Sequence, residues 1–148
     1  MMTVDSNVLV YLHDDSEADK QSVAALVMSR LMERETRIGL QCVGEFQNVL
    51  RRKLRAPSWQ AAEEARNLLV SFESFAATEG ACLAALGVVS TGRGGYWDTL
   101  LMHSAADAGC TVMFTEDDQG APRVGGLEIV NPFGPEGVSA RARDLLDL

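Results

Sequence analysis

The chain has 148 residues, 47% hydrophobic and 23% charged, with 21 acidic side chains against 13 basic ones and a formal charge of -8. Such a length suits one domain that buries about two thirds of its unfolded surface without disulfides or a structural metal, and the acidic balance excludes a protein that coats nucleic acid by phosphate neutralisation alone. Cys42, Cys82 and Cys110 are odd in number and lack a Cys-x-x-Cys pair, so neither a disulfide framework nor a zinc ribbon is indicated; with no leader-like start and no apolar run near the ~18 residues of a membrane span, a cytoplasmic protein with no membrane contact is expected.

From Met2 to Leu12 the residues Val4, Val8, Leu9, Val10, Tyr11 and Leu12 are mostly branched, aromatic or aliphatic, which predicts the first strand of a sheet buried on both faces. Asp5 interrupts it, and a carboxylate there is costly unless a cation, a donor or water meets it. Ser16, with Asp19 three residues on, predicts a capping box opening a helix that runs to Glu35. Val23, Leu26, Val27, Leu31 and Met32 form its buried face. Arg37 to Cys42 predicts a second strand. Val43, Phe46, Leu50 and Leu54 then share one helical stripe, while Glu45, rotated about 200° from Val43, shares another face with Asn48 and Arg52. Pro57 ends this helix, Ser58 caps the next, and Trp59 to Phe72 is amphipathic and alanine-rich.

Ser71 to Ala77 predicts a short edge strand, and Thr78 to Val88 a helix. Thr91-Gly92-Arg93-Gly94-Gly95 is a loop before a helix from Tyr96 to Ala108, closed by Gly109. Asp98 stands in its first turn, where the dipole and unpaired amides favour an anion. Cys110 to Thr115 predicts a strand that, like the first, runs straight into acid, here Glu116-Asp117-Asp118. A last strand, Leu127 to Asn131, is stopped by Pro132, and Ser139 to Leu148 predicts a terminal helix. This alternation predicts an α/β fold: a central, mostly parallel sheet with helices on both faces and right-handed crossovers. Ligands of such sheets bind at the carboxyl ends of the strands, the edge to which Asp5 and the acids after Thr115 belong.

Four acidic positions thus stand beside apolar elements: Asp5, Glu45, Asp98 and one of Glu116, Asp117 and Asp118. Any one of them also has a plain reading as a cap or a surface residue, although Asp5, inside a buried strand, favours a metal ligand over a structural hydrogen-bond acceptor. Converged, they would repel by about 1 to 4 kcal/mol per pair at 4 Å, tolerable at neutral pH only with a cation bound or some carboxyls protonated. Oxygen ligands without His or Cys suit Mg²⁺ or Mn²⁺ rather than zinc, and such ions activate water for phosphodiester hydrolysis. Arg51, Arg52, Lys53 and Arg55 form the concentrated basic run of the chain, a track for RNA phosphates or simply a solvated helix end. Arg93 is a second phosphate-contact candidate.

The series Val4-Asp5-Ser6-Asn7-Val8-Leu9-Val10-Tyr11, Val43-Gly44-Glu45-Phe46-Gln47-Asn48-Val49, Tyr96-Trp97-Asp98-Thr99-Leu100-Leu101, Phe114-Thr115-Glu116-Asp117 and Leu127-Glu128-Ile129-Val130-Asn131-Pro132-Phe133 resembles the PIN-domain ribonucleases, most of all the VapC-type toxins of prokaryotic toxin–antitoxin pairs. The resemblance implies a PIN-like nuclease domain over residues 1–133, with 134–148 a C-terminal extension on the same domain. It also implies a Mg²⁺- or Mn²⁺-dependent endoribonuclease, a homodimer, an RNA substrate with transfer RNA among the candidates, and inhibition by a cognate antitoxin. Residue by residue it implies Asp5, Glu45, Asp98 and Asp117 as the acids around the metal, and Ser6, Asn7, Thr115 and Glu116 as their support. Asp117 is favoured over Glu116 and Asp118 because it stands two residues beyond Thr115. The glycine-rich loop and the tail depart from the family pattern, which leaves substrate and partner contacts open. The alternative is an inactive PIN module that binds RNA or a protein. A signalling receiver domain lacks its Lys near the last strands, and a haloacid-dehalogenase-like phosphatase would need Asp where Asn7 stands.

Overall fold

The computed structural model describes residues 1–117 and 123–148. The first strand, β1, is only Met2–Val4, and at Asp5 the chain turns into helix α1, Ser6–Tyr11. This overturns the strand expected as far as Leu12. The cause is local: Asp5 has extended backbone (φ -81°, ψ 158°) and its carboxylate accepts from the Ser6 amide at 2.6 Å, capping the helix. Val8, Leu9 and Val10 are buried, as the apolar run required, but a short run buried all round carries no period that separates helix from strand.

Helix α2 spans Ala18–Met32 and buries Val23, Ala24, Val27, Met28 and Leu31. Leu26 and Met32, expected on the same face, are exposed. Glu17, not Ser16, is the N-cap, because the Ser16 hydroxyl and amide both bond the Asp14 carboxylate. Strand β2, Arg37–Gly39, passes directly into α3, Leu40–Arg52, ending before the Cys42 expected of it. At that corner a Cβ on Gly39 would stand 3.0 Å from Leu101 Cδ1 and 3.2 Å from Phe75 Cζ, so a side chain there would need the tips of Leu101 in α6 (Tyr96–Asp107) and Phe75 in β3 (Glu73–Phe75) to give by a few tenths of an ångström.

The remaining elements are α4 (Ser58–Ser71, with Pro57 as its N-cap), α5 (Glu79–Ser90, capped by the Thr78 hydroxyl), β4 (Val112–Phe114), β5 (Arg123–Val124), β6 (Leu127–Val130), the hairpin β7 (Phe133–Gly134) and β8 (Gly137–Val138), and α7 (Ala140–Leu146). The unexpected strands β5, β7 and β8 have two residues each, too few to show a period. The main sheet runs β1-β4-β6-β5, with β1, β4 and β6 parallel and Val4, Phe114 and Val130 in register; β5 is antiparallel. The parallel pair β2–β3 adjoins β1 through a bridge from Met2 to Thr36.

Phe46, Phe114, Leu9, Leu31, Ile38, Leu101 and Leu127 are fully enclosed between sheet and helices, and Ala142 and Leu146 bring α7 into the same core. Helix α5 behaves otherwise. It buries only the small Ala81 and Ala85, and leaves Leu83, Leu86 and Val89 exposed. Among the described residues no helix is long and apolar enough to cross a membrane.

Candidate active site

Register brings the first two site residues together. Because Val4 pairs with Phe114, the residues that follow, Asp5 and Thr115, lie side by side where two buried strands end. Asp5 Oδ2 accepts from the Thr115 hydroxyl at 2.8 Å and Oδ1 from the Ser6 amide at 2.6 Å. The Thr115 oxygen in turn accepts from Asn7 Nδ2 at 3.1 Å and from the Asp117 amide at 3.0 Å. One donated and two accepted bonds exhaust that hydroxyl, so it is locked and tethers Asp5 to the backbone of Asp117. Every donor to Asp5 is uncharged: among the described residues no Lys or Arg bonds to it. Burial therefore dominates and pushes the Asp5 carboxyl up to about 6, against the Thr115 and Ser6 bonds and with the help of the Glu45 and Asp98 charges. The Cys42 thiol, 4.0 Å from Asp5 Oδ1, is itself held protonated by burial and brings no countercharge.

Glu45 reaches this point from α3. Its Oε2 accepts from the Ser6 hydroxyl at 2.8 Å and its Oε1 from Gln41 Nε2 at 2.8 Å, one helical turn back. Gln41 Nε2 also donates to the Trp97 carbonyl at 3.0 Å, just before Asp98 in the first turn of α6. The Asp98 carboxyl is raised by burial, then by the charges of Asp117 and Glu45. Asp5, Glu45, Asp98 and Asp117 therefore share one electrostatic neighbourhood, while Asn48 and Arg52, expected on the Glu45 face, are exposed.

Glu116 is used differently. Its carboxylate accepts from the Tyr11 hydroxyl at 2.7 Å and is bonded closely by the Lys20 ammonium, which lies over the rings of Tyr11 and Phe133. Burial alone would raise Glu116, but Lys20 and Tyr11 outweigh it and hold the carboxyl below its ordinary value. Its amide donates to Asn7 Oδ1 at 3.3 Å. The basic run ends in solvent: Arg51, Arg52 and Lys53 are exposed, as is Arg93, and of these Lys53 is near enough to act electrostatically on Glu116. Asp118, the other competitor for the fourth acidic position, lies outside the described residues.

An all-oxygen donor set beside one buried, cation-free carboxylate fits a hard divalent ion. Among the described residues no three His, Cys, Asp or Glu side chains close into a ready-made metal cage. Sequence reasoning missed two contributors. Gln41 stands four residues before Glu45, so helical spacing could have found it. The pairing of Lys20 with Glu116 spans 96 positions and has no local signal.

Comparison with known proteins identifies the family and the fold. The PIN domain family matches residues 2–127. Among solved structures, the Mycobacterium tuberculosis toxin VapC20, which cleaves the sarcin-ricin loop, superposes with a TM-score of 0.65 at 13% identity, over 82% of this chain and 94% of that one. VapBC-1 from nontypeable Haemophilus influenzae gives 0.61 at 15% identity, over 88% and 96% of the two chains. VapBC2 from Rickettsia felis, bound to a DNA fragment from its promoter, gives 0.59 at 16%, over 88% and 97%. None of the curated proteins matches.

Proposed function

The chain belongs to the PIN domain family and has the fold of the VapC toxins, and from that premise we propose that it is a Mg²⁺- or Mn²⁺-dependent endoribonuclease, the toxin of a type II toxin–antitoxin pair. The observation that carries this reading is Asp5: a buried carboxylate at the sheet's carboxyl edge, raised to about 6, with further acids around it and, among the described residues, no side-chain cation bonded to it. Such a group calls for an external cation.

In this reading Asp5, Glu45, Asp98 and Asp117 hold the ion, which when bound lowers the pKa of water and offsets charge on the departing oxygen of a phosphodiester. The protein's own part is orientation. Thr115, Ser6 and Asn7 aim the Asp5 carboxylate, Ser6 also steadies Glu45, and Lys20 with Tyr11 holds Glu116 aside as a strut beneath Asp117. Arg51, Arg52, Lys53 and Arg93 supply the phosphate contacts that an otherwise acidic chain lacks. RNA is the substrate, transfer RNA being the first class to test. The test is incubation of the purified protein with end-labelled RNA and either ion: cleavage that vanishes in excess chelator and in Asp5→Asn is expected, and cleavage surviving both would overturn the proposal.

Two protein partners follow. One is an antitoxin, as the VapBC neighbours are toxin–antitoxin complexes. The other is a second copy of the chain, seated on α5. No charged residue occurs from Gly80 to Gly92, and in a chain of charge -8 an uncharged apolar face is where two copies approach with least repulsion. Leu86→Glu should turn a dimer into a monomer in sedimentation equilibrium; an unchanged mass would place the second copy elsewhere.

A further inference from the structure

Glu45 and Asp98 stand on separate helices, and one uncharged side chain spans the gap between them. We infer that Gln41 is a positioning residue that sets the spacing between Glu45 and the first turn of α6, and so the width of the metal site; this rests on the reading proposed above. Its single amide nitrogen carries two protons and meets two acceptors, Glu45 Oε1 at 2.8 Å and the Trp97 carbonyl at 3.0 Å. The orientation of the amide is forced, because flipping it would set its oxygen against two other oxygens. The second Glu45 oxygen is already taken by the Ser6 hydroxyl, so the carboxylate is gripped from α1 on one side and through Gln41 from α6 on the other. Trp97 is joined to Asp98 by one planar peptide, so holding its carbonyl holds the Asp98 backbone. An ordinary surface glutamine pairing with a glutamate one turn away would have no reason to reach a second helix.

The consequence is a division of labour. Glu45 and Asp98 supply charge, and Gln41 supplies the distance between them without adding to the repulsion. Asparagine, one methylene shorter, reaches only one of the two acceptors, and methionine has the length but no proton to donate.

The experiment measures Mn²⁺ binding without RNA, by the electron paramagnetic resonance of free Mn²⁺, in the full chain and in Gln41→Met, Gln41→Asn and Asp5→Asn. Both Gln41 variants should keep the wild-type circular dichroism and bind Mn²⁺ about 10- to 100-fold more weakly, the scale on which loss of a ligand's supporting hydrogen bond lowers metal affinity. With RNA, kcat should fall at unchanged KM and recover as Mn²⁺ is raised, a recovery that mere loss of packing would not show. Mn²⁺ affinity within twofold of wild type in both Gln41 variants, with binding lost in Asp5→Asn, would overturn the role of Gln41 and leave the metal site standing. Equal binding by wild type and Asp5→Asn would overturn both.

Discussion

Asp5 and Glu116 follow neighbouring parallel strands at the same edge of the sheet, and their environments pull them in opposite directions. Asp5 meets a hydroxyl and a backbone amide, neither charged, and burial drives its carboxyl up to about 6. Glu116 meets the Lys20 ammonium and the Tyr11 hydroxyl, and is held below its ordinary value although burial opposes this. A carboxylate whose charge is already matched gains little from an external cation; one met only by neutral dipoles gains much. Strand-end placement thus provides the acid, and the presence or absence of a lysine decides whether its charge is already matched.

Activity separates the two acids most widely. Asp5→Asn should lower kcat on RNA by about 10³-fold, the upper range for removing one preorganised electrostatic group from an active site, whereas Glu116→Gln should cost about 10- to 100-fold, the scale for a group that only supports the ligands. Equal losses would erase the distinction.

Stability against pH comes next. The Asp5 carboxyl titrates near 6 when folded against 3.8 unfolded, so folding favours its neutral form. That stabilisation is fully present below about pH 4 and is lost as pH rises through 6, a swing of about 3 kcal/mol. Urea unfolding of the metal-free protein should therefore show wild type losing this much relative to Asp5→Asn between pH 4 and 7, with saturating Mn²⁺ restoring it. A difference that does not vary with pH would sink the assignment.

The smallest effect concerns the strut. The Lys20 and Glu116 side chains are 33% and 29% exposed, so Lys20→Met should cost no more than about 1 kcal/mol. Its diagnostic is the titration of Glu116 by carbon-13 NMR. With the ammonium gone and burial and the Tyr11 hydroxyl left, the Glu116 carboxyl should rise from its lowered value, in the direction in which burial drives Asp5. With Lys20 present, the lowered carboxyl stabilises the fold above its unfolded value of 4.5 and loses that effect as pH falls through the folded one. An unmoved Glu116 in the variant would show that Lys20 is not what distinguishes the two acids.

Most of the elements and the acids beside them were legible in the chain because helix periods, caps and breakers are short-range. The stripe Val43, Phe46, Leu50 lies on α3, Thr78 caps α5, and Gly109 closes α6 in a left-handed conformation (φ 86°). The boundary at Asp5 was not legible. An acid inside an apolar run looks the same whether it interrupts a strand or caps a helix, and only the register of β1 on β4 beside Thr115 makes the cap visible.

Read alone, the residues determined an α/β domain with acids at its strand ends, since apolar pattern and turn chemistry act over a few positions. Tertiary structure decided the rest: that Lys20 neutralises Glu116 from 96 residues away, that among the described residues no Lys or Arg bonds Asp5, and that Gln41 ties Glu45 to the helix of Asp98. The choice of partner for a buried charge depends on which side chains packing carries within about 3 Å of it, and no local rule of sequence encodes that distance.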